Sequence, residues 1–168
     1  RRSSDLNHGG NMGDDITYSG TVAAAMEANL MGIPALAVSL ATYGPTEHFP
    51  DAARVAADVV NSLLTEGLPK DTFWNLNIPN RPYEQMGAIC PARQGKRSFI
   101  GKIIDSVDPR GRKYFWIGSE EPSFLDEEGT DFYAVGNGNP SLTPLSIDLT
   151  DYHALQALKQ YRFRPAGQ

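Results

Sequence analysis

The chain has 168 residues, 40% of them apolar and 10% aromatic, enough for one packed domain or a large piece of one. Its net charge of -5 and pI of about 5.1 exclude an extended nucleic-acid surface, and its apolar content excludes a disordered chain. The single cysteine, Cys90, can form neither an internal disulfide nor a thiolate zinc cage, so a reducing, cytoplasmic setting is expected. No apolar run reaches the length of a membrane span, and no charged-then-apolar leader opens the sequence. Arg1-Arg2-Ser3-Ser4 fits neither a strand nor a helix cap and predicts a truncated chain.

In chain order, a loop rich in Gly, Asn and Asp occupies 7–18, with Gly9, Gly10 and Gly13 permitting close backbone approaches. Ser19-Gly20-Thr21 then opens an Ala-rich helix, 22–31, which Gly32 and Pro34 end. An apolar strand, 35–40, follows. After a Gly/Pro loop at 41–50, Asp51 is the expected N-cap of an amphipathic helix over 52–64, stopped by Gly67 and Pro69. Residues 73–79 read as a second strand. This alternation with short connections predicts a three-layer α/β domain with a mostly parallel sheet.

The second half is β-prone. Asp108-Pro109-Arg110-Gly111 is a turn signal joining strands at 99–107 and 112–117 into a long hairpin. The stretch Lys113-Tyr114-Phe115-Trp116-Ile117 is too apolar for a solvated arm, so a contact with a neighbouring subunit is expected. An acidic loop at 120–129, a turn at 136–140, a strand at 142–147 and a final helix at 151–161 capped by Thr150 or Asp151 complete the chain, before a basic tail at 162–168.

The chemistry concentrates in 7–21. Asn7, Asn11, Asp14 and Asp15 carry hard oxygen donors suited to Mg²⁺, Mn²⁺ or Ca²⁺, although turn-filling and capping are the default roles of such residues. Gly9-Gly10-Asn11-Met12-Gly13 is a degenerate dinucleotide fingerprint, weakened because no strand visibly precedes it and six residues separate it from the helix. Ser19 lacks the flanking glycines of a nucleophile elbow, and nothing ties His8, His48 or His153 to it. Capping, or holding a phosphate at the helix N-terminus, is its expected role. His48 and His153 read as surface or packing residues, Cys90 as a small core residue, and Arg93, Lys96, Arg97 and Lys102 as a solvated hairpin face.

Asn7-x-Gly9-x-Asn11-x-Gly13-x-Asp15, followed by Tyr18-Ser19-Gly20-Thr21-Val22 with Ala23 to Glu27 and by Gly32-Ile33-Pro34-Ala35-Leu36-Ala37-Val38-Ser39, closely resembles the SurE family. The resemblance continues through Leu76-Asn77-Ile78-Pro79, the Asp108–Gly111 hairpin, Gly129-Thr130-Asp131-Phe132 and Ser141-Leu142-Thr143-Pro144-Leu145. It implies a Rossmann-like three-layer α/β/α core over 5–92, a hairpin arm over about 93–118, and a C-terminal strand and helix within 130–162. The implied activity is metal-dependent hydrolysis of nucleoside 5'- or 3'-monophosphates, in some members also of short polyphosphate.

Carried over by motif, Asn7 is a ligand of a divalent cation, Mg²⁺ or Mn²⁺. The family's other ligands, an adjacent Asp pair and a Ser, have no counterpart in this chain, and Asp14-Asp15 is not that pair. Ser19, Gly20 and Thr21 line the phosphate end, and Asn11 shapes its wall. The hairpin and last helix imply a homodimer or homotetramer. Asp5 and Asn139-Pro140 depart from the family pattern. One ligand of four predicts an inactive fragment of a nucleotidase; the alternative is a non-catalytic phosphate-binding or oligomerisation module. A dinucleotide-binding domain is a third reading, for which Ser39-Leu40-Ala41 lacks the acidic strand end.

Overall fold

The computed structural model describes residues 6–163 except 43, 46, 68, 70, 99–101 and 119–122. Asp5, the predicted strand start at 99–101 and the tail at 164–168 therefore lie outside the described residues.

Residues Asn7–His8 form a two-residue strand, β1, directly before Gly9, where the sequence showed none. The helix α1 (Gly20–Leu30) follows a short 3₁₀ run, Gly13–Tyr18. Its end is a Schellman closure: the N–H of Ile33 donates to Ala28 O at 2.9 Å, and that of Gly32 to Asn29 O at 2.9 Å. Gly32 sits there at φ 74°, a left-handed conformation that glycine adopts without a Cβ clash. The strand β2 (Leu36–Ala41) leads to α2 (Phe49–Glu66) and β3 (Thr72–Pro79).

The start of α2 differs from expectation. Asp51 does not cap it; the helix begins two residues before Pro50's successor, with Pro50 inside the first turn, where its missing N–H is harmless. Asp51 pairs instead with the His48 ring at 3.1 Å, and the amides of Glu47 and His48 donate to Asn80 Oδ1.

Short strands β4 (Cys90–Pro91) and β5 (Arg97–Ser98) precede the hairpin of β6 (Lys102–Val107) and β7 (Lys113–Gly118). Its turn is held by Asp108 Oδ1, which accepts the N–H groups of Arg110 and Arg112, each at 2.8 Å. Then come β8 (Ser123–Phe124), which pairs with β5, a short helix α3 (Asp131–Gly136), β9 (Ser141–Ser146) and α4 (Tyr152–Leu158). Sequence reading missed α3: six residues are too few for a helical period to show, and Thr130, whose Oγ1 accepts the Tyr133 N–H at 3.2 Å, is its one local sign.

Among the described residues the main sheet runs β1-β2-β3-β9-β4. The first three strands are parallel, β9 is antiparallel to β3, and β4 is parallel to β9, so the sheet is mixed rather than mostly parallel. On one face α2 packs Ala52, Val55 and Val59 against Leu40, Leu76 and Ile78. On the other, α1 packs Val22 and Ala25 against Ala37, Phe73 and Leu145. That is the expected three-layer α/β/α arrangement. With both faces covered, β3 is almost continuously buried. No helix of the described residues is long and apolar enough to cross a membrane.

The chain beyond β9 turns on Asp148. Hydrogen bonds from the Thr150 hydroxyl, then the Tyr152 hydroxyl, then the Thr150 N–H hold its carboxyl down to about 2 from the ordinary 3.8. A carboxylate with a depressed folded-state pKa stabilises the fold above its unfolded value, and that contribution is lost as pH falls from about 4 toward 2. Carbon-detected NMR titration should place the Asp148 midpoint near 2 in the wild type. In Tyr152→Phe the midpoint should rise toward the ordinary value, because one donor to the ionised form is gone.

Candidate functional site

The site grows from the pleat of the sheet. Side chains alternate between faces, so Phe73, Asn75 and Asn77 share the α1 face while Leu76 and Ile78 enter the α2 core. Register aligns these residues into rows across the strands. Phe73 stands opposite Leu145; the next row holds Ala37, Asn75 and Thr143; the next holds Asn7, Ser39, Asn77, Ser141 and Cys90. Along β3 the α1 face therefore changes from apolar to polar.

The loop 9–13 lies on that polar end. Asn77 binds the main chain of Asn11 with both ends of its amide: Oδ1 accepts the Asn11 N–H at 2.7 Å and Nδ2 donates to Asn11 O at 3.0 Å. Asn75 Nδ2 donates to the same carbonyl at 2.7 Å, and the Ser39 hydroxyl donates to Asn77 Oδ1 at 2.5 Å. Asn11, Ser39, Asn75 and Asn77 are all buried. Buried main-chain groups need partners, and here side chains from β2 and β3 provide them.

So anchored, the Asn11 side chain draws two other predicted site residues together. Its Oδ1 accepts the Ser19 hydroxyl at 2.8 Å and Asn7 Nδ2 at 3.3 Å. Asn7 Nδ2 also donates to Gly9 O at 2.9 Å, which fixes the amide's orientation and leaves Oδ1 without a hydrogen bond among the described residues. Asn11 Nδ2 is buried with no hydrogen-bond partner among the described residues.

Ser19 is the N-cap of α1, accepting the Val22 N–H at 3.1 Å. Its proton is engaged by Asn11, so Ser19 has none to give a ligand in this arrangement. The N–H groups of Gly20 and Thr21, by contrast, have no intrahelical partner, as at any helix start, and the space beside Gly20 is open. Asn7, His8, Gly20 and Thr21 are among the residues lining a cavity of about 670 Å³, which apolar residues of α1, β2 and α2 also line.

The glycine loop itself is a scaffold. Gly9 N–H donates to Leu40 O, Asn11 N–H to Asn77, and Gly13 N–H to Asp131 Oδ2 at 2.7 Å. Those amides are spent internally, which removes the dinucleotide-loop reading even though a strand does precede Gly9. Asp14 and Asp15 form ion pairs with Lys96 and Arg97, and Arg93 pairs with Glu127. These three cations are not the freely solvated face expected of them, and the two aspartates belong to a brace. His8 Nε2 meets Gly44 O at 3.3 Å, and His153 is exposed on α4.

Sequence reasoning missed Ser39, Asn75, Asn77 and Asp131. Two asparagines at alternate positions of an otherwise apolar strand were the available signal. Asp131 is fully buried and accepts N–H groups from Gly13, Gly95 and Phe132. Burial pushes its carboxyl up, and the three N–H groups pull the other way without cancelling that shift.

Residues 3–101 match the family model described as Survival protein SurE. The chain belongs to the SurE family. It is 56% identical over 160 residues to the 5'-nucleotidase SurE of Pelobacter propionicus, covering 95% of this chain and 65% of that protein. The 5'-nucleotidase SurE of Geobacter sulfurreducens is 55% identical over 158 residues, covering 94% and 60%. This SurE chain therefore spans less than two thirds of the length of these relatives. The crystal structure of the SurE protein from Aquifex aeolicus superposes with a TM-score of 0.83 at 44% identity, covering 92% of this chain and 62% of that one.

Ser19 tests the local architecture. Ser19→Ala removes a cap and a donor to Asn11, and should cost about 1–2 kcal/mol in urea denaturation. Ser19→Thr keeps both bonds and should stay within about 0.5 kcal/mol of the wild type.

Proposed function

We propose that this SurE chain carries the phosphate-accepting part of a divalent-metal-dependent phosphomonoesterase acting on nucleoside 5'- or 3'-monophosphates. The observation that carries this reading is that Asn7, whose Oδ1 makes no hydrogen bond among the described residues, lines the same cavity as Gly20 and Thr21, the residues that open α1. The relatives from Pelobacter propionicus and Geobacter sulfurreducens are named 5'-nucleotidases, which agrees with it.

An amide oxygen suits a hard cation such as Mg²⁺ or Mn²⁺, so Asn7 fits the role of one ligand. Among the described residues no group of three or more His, Cys, Asp or Glu could hold a metal ion, and Asp14 and Asp15 are tied to Lys96 and Arg97. Asn7 is one donor of a site that other residues must complete. When bound, the cation would polarise phosphoryl oxygens. The chain's own contribution is positional: Gly20 and Thr21 N–H groups and the helix dipole stabilise charge on the phosphate oxygens, and Asn11 orients Asn7 and Ser19. Short polyphosphate presents the same oxygens and is a secondary substrate on this reading.

The exposed side chains of the hairpin, among them Ile103 and Phe115, at 69% and 64% exposure, support its role as a subunit arm, and the exposed Leu155 and Leu158 support the same role for α4. The assembly would be a homodimer or homotetramer in the cytoplasm. A second reading, a non-catalytic phosphate-binding or oligomerisation module, draws on Asn7 being a single donor.

Hydrolysis of p-nitrophenyl phosphate and AMP with Mn²⁺ or Mg²⁺ separates the two. The chain alone is expected to show negligible turnover. A chimera joining it to the part of the Pelobacter relative that it does not cover should be active, and Asn7→Ala should lower that activity at least 100-fold, about 2.7 kcal/mol of transition-state stabilisation. An inactive chimera that still binds phosphate would favour the module.

A further inference from the structure

Asp131 is a buried carboxylate to which no role attaches in the reading above. Its two oxygens receive three main-chain N–H groups: Oδ2 from Gly13 at 2.7 Å, and Oδ1 from Gly95 and Phe132, each at 2.8 Å. Gly13 and Gly95 belong to segments 82 residues apart, and the residues after each continue the contact, Asp14 with Lys96 and Asp15 with Arg97. The fit admits no side chain at either glycine. A Cβ on Gly13 would lie 2.5 Å from the Phe132 ring and 2.7 Å from Gly95 O, and one on Gly95 would lie 2.6 Å from the same ring and 3.0 Å from Asp131 Oδ1. Phe132 cannot yield, being buried and stacked on Phe124 at 4.8 Å.

The position of Gly13 matters because of what flanks it. Two residues before it is Asn11, held by Asn77. The 3₁₀ run Gly13–Tyr18 connects it to Ser19, and Thr17 Oγ1 closes back on Asp14 O at 2.8 Å. Asn11 Oδ1 and Ser19 Oγ must then meet at 2.8 Å. Moving Gly13 by a few tenths of an ångström would misplace one against the other.

We propose that Asp131 is a positioning residue for the phosphate end of the site, fixing the loop exit at Gly13 so that Asn11 and Ser19 meet and the first N–H groups of α1 are aimed. The link to phosphate rests on the function proposed above; the link to loop geometry does not. A carboxylate is required rather than an amide. It accepts donors on both oxygens, whereas an asparagine would turn an NH₂ group toward either the Gly13 N–H or the Gly95 and Phe132 pair.

The test uses this chain, with ¹⁵N–¹H spectra and titration with inorganic phosphate. In Asp131→Asn the resonances of Gly13 and Gly95 should move, and those of Asn11, Ser19 and Gly20 with them, while phosphate affinity falls at least tenfold. Val59→Ala, on the opposite face of the sheet, is the control for destabilisation alone. It should leave those resonances in place and the affinity within twofold. Asn11 and Ser19 resonances unmoved in Asp131→Asn would overturn the proposal, as would phosphate affinity within twofold of a wild type that binds. Should Asp131→Asn fail to fold, Asp131→Ser, which is smaller, introduces no clash and keeps one acceptor oxygen, is judged by the same two outcomes. A wild type that does not respond to phosphate sinks the functional reading, yet the resonances of Asn11 and Ser19 still decide what Asp131 does.

Discussion

A buried loop must find partners for its main-chain N–H and C=O groups, and the site depends on how Asn11 finds them. Asn75 and Asn77 project from the centre of the sheet and grip both main-chain polar groups of that residue. A typical intramolecular hydrogen bond contributes only about 0.5–1.5 kcal/mol net, whereas a buried group stranded without one costs about 1–3 kcal/mol. The grip is thus worth more for the alternative it forbids than for the bonds it makes. It also fixes strand register. A slip of β3 by one residue would drive both asparagines into the α2 core beside Val55 and Val59.

From that grip the rest of the site follows by short steps. Asn11 orients Asn7, whose amide oxygen then has no hydrogen bond among the described residues, and it accepts the Ser19 hydroxyl, which leaves the helix start to offer main-chain N–H groups instead of that hydroxyl. Of the glycines that resemble a phosphate cradle, Gly13 is there for packing, because Phe132 and Gly95 crowd it at a left-handed φ of 53°; Gly9 has open space beside it and answers to its φ of 101°. The anion binding proposed above falls to the end of α1, where the helix dipole and the N–H groups of the first turn coincide.

Much of this was legible in the sequence where local chemistry decides. Ser19 before an Ala-rich run, Gly32 and Pro34 after it, and the Asp108–Gly111 turn each announce a boundary through their own conformational preferences. What escaped was non-local. β1 is two residues long and exists because Leu40 and its neighbours pair with it. Pro50 reads as a loop residue, yet it serves equally well in the first turn of α2. Lys96 and Arg97 look solvated until the fold brings Asp14 and Asp15 to them. Asp131 escaped most completely, because its partners are main-chain N–H groups at Gly13 and Gly95, which any residue type would display.

The same geometry explains why the candidate site residues gather at one end of the sheet. Parallel strands β1, β2 and β3 all end on the same side, and there the α1 face has passed from Phe73 and Ala37 to Asn77, Ser39 and Asn7. The apolar end of the face holds α1 in place through Val22 and Ala25; the polar end holds a loop. One helix is therefore fixed by packing near its middle and by a capping serine at its start, while the loop feeding that serine is fixed by amides and a carboxylate. Because the two kinds of contact lie on the same face of β3, a helix N-terminus is held still without being buried, which a ligand that must enter and leave requires.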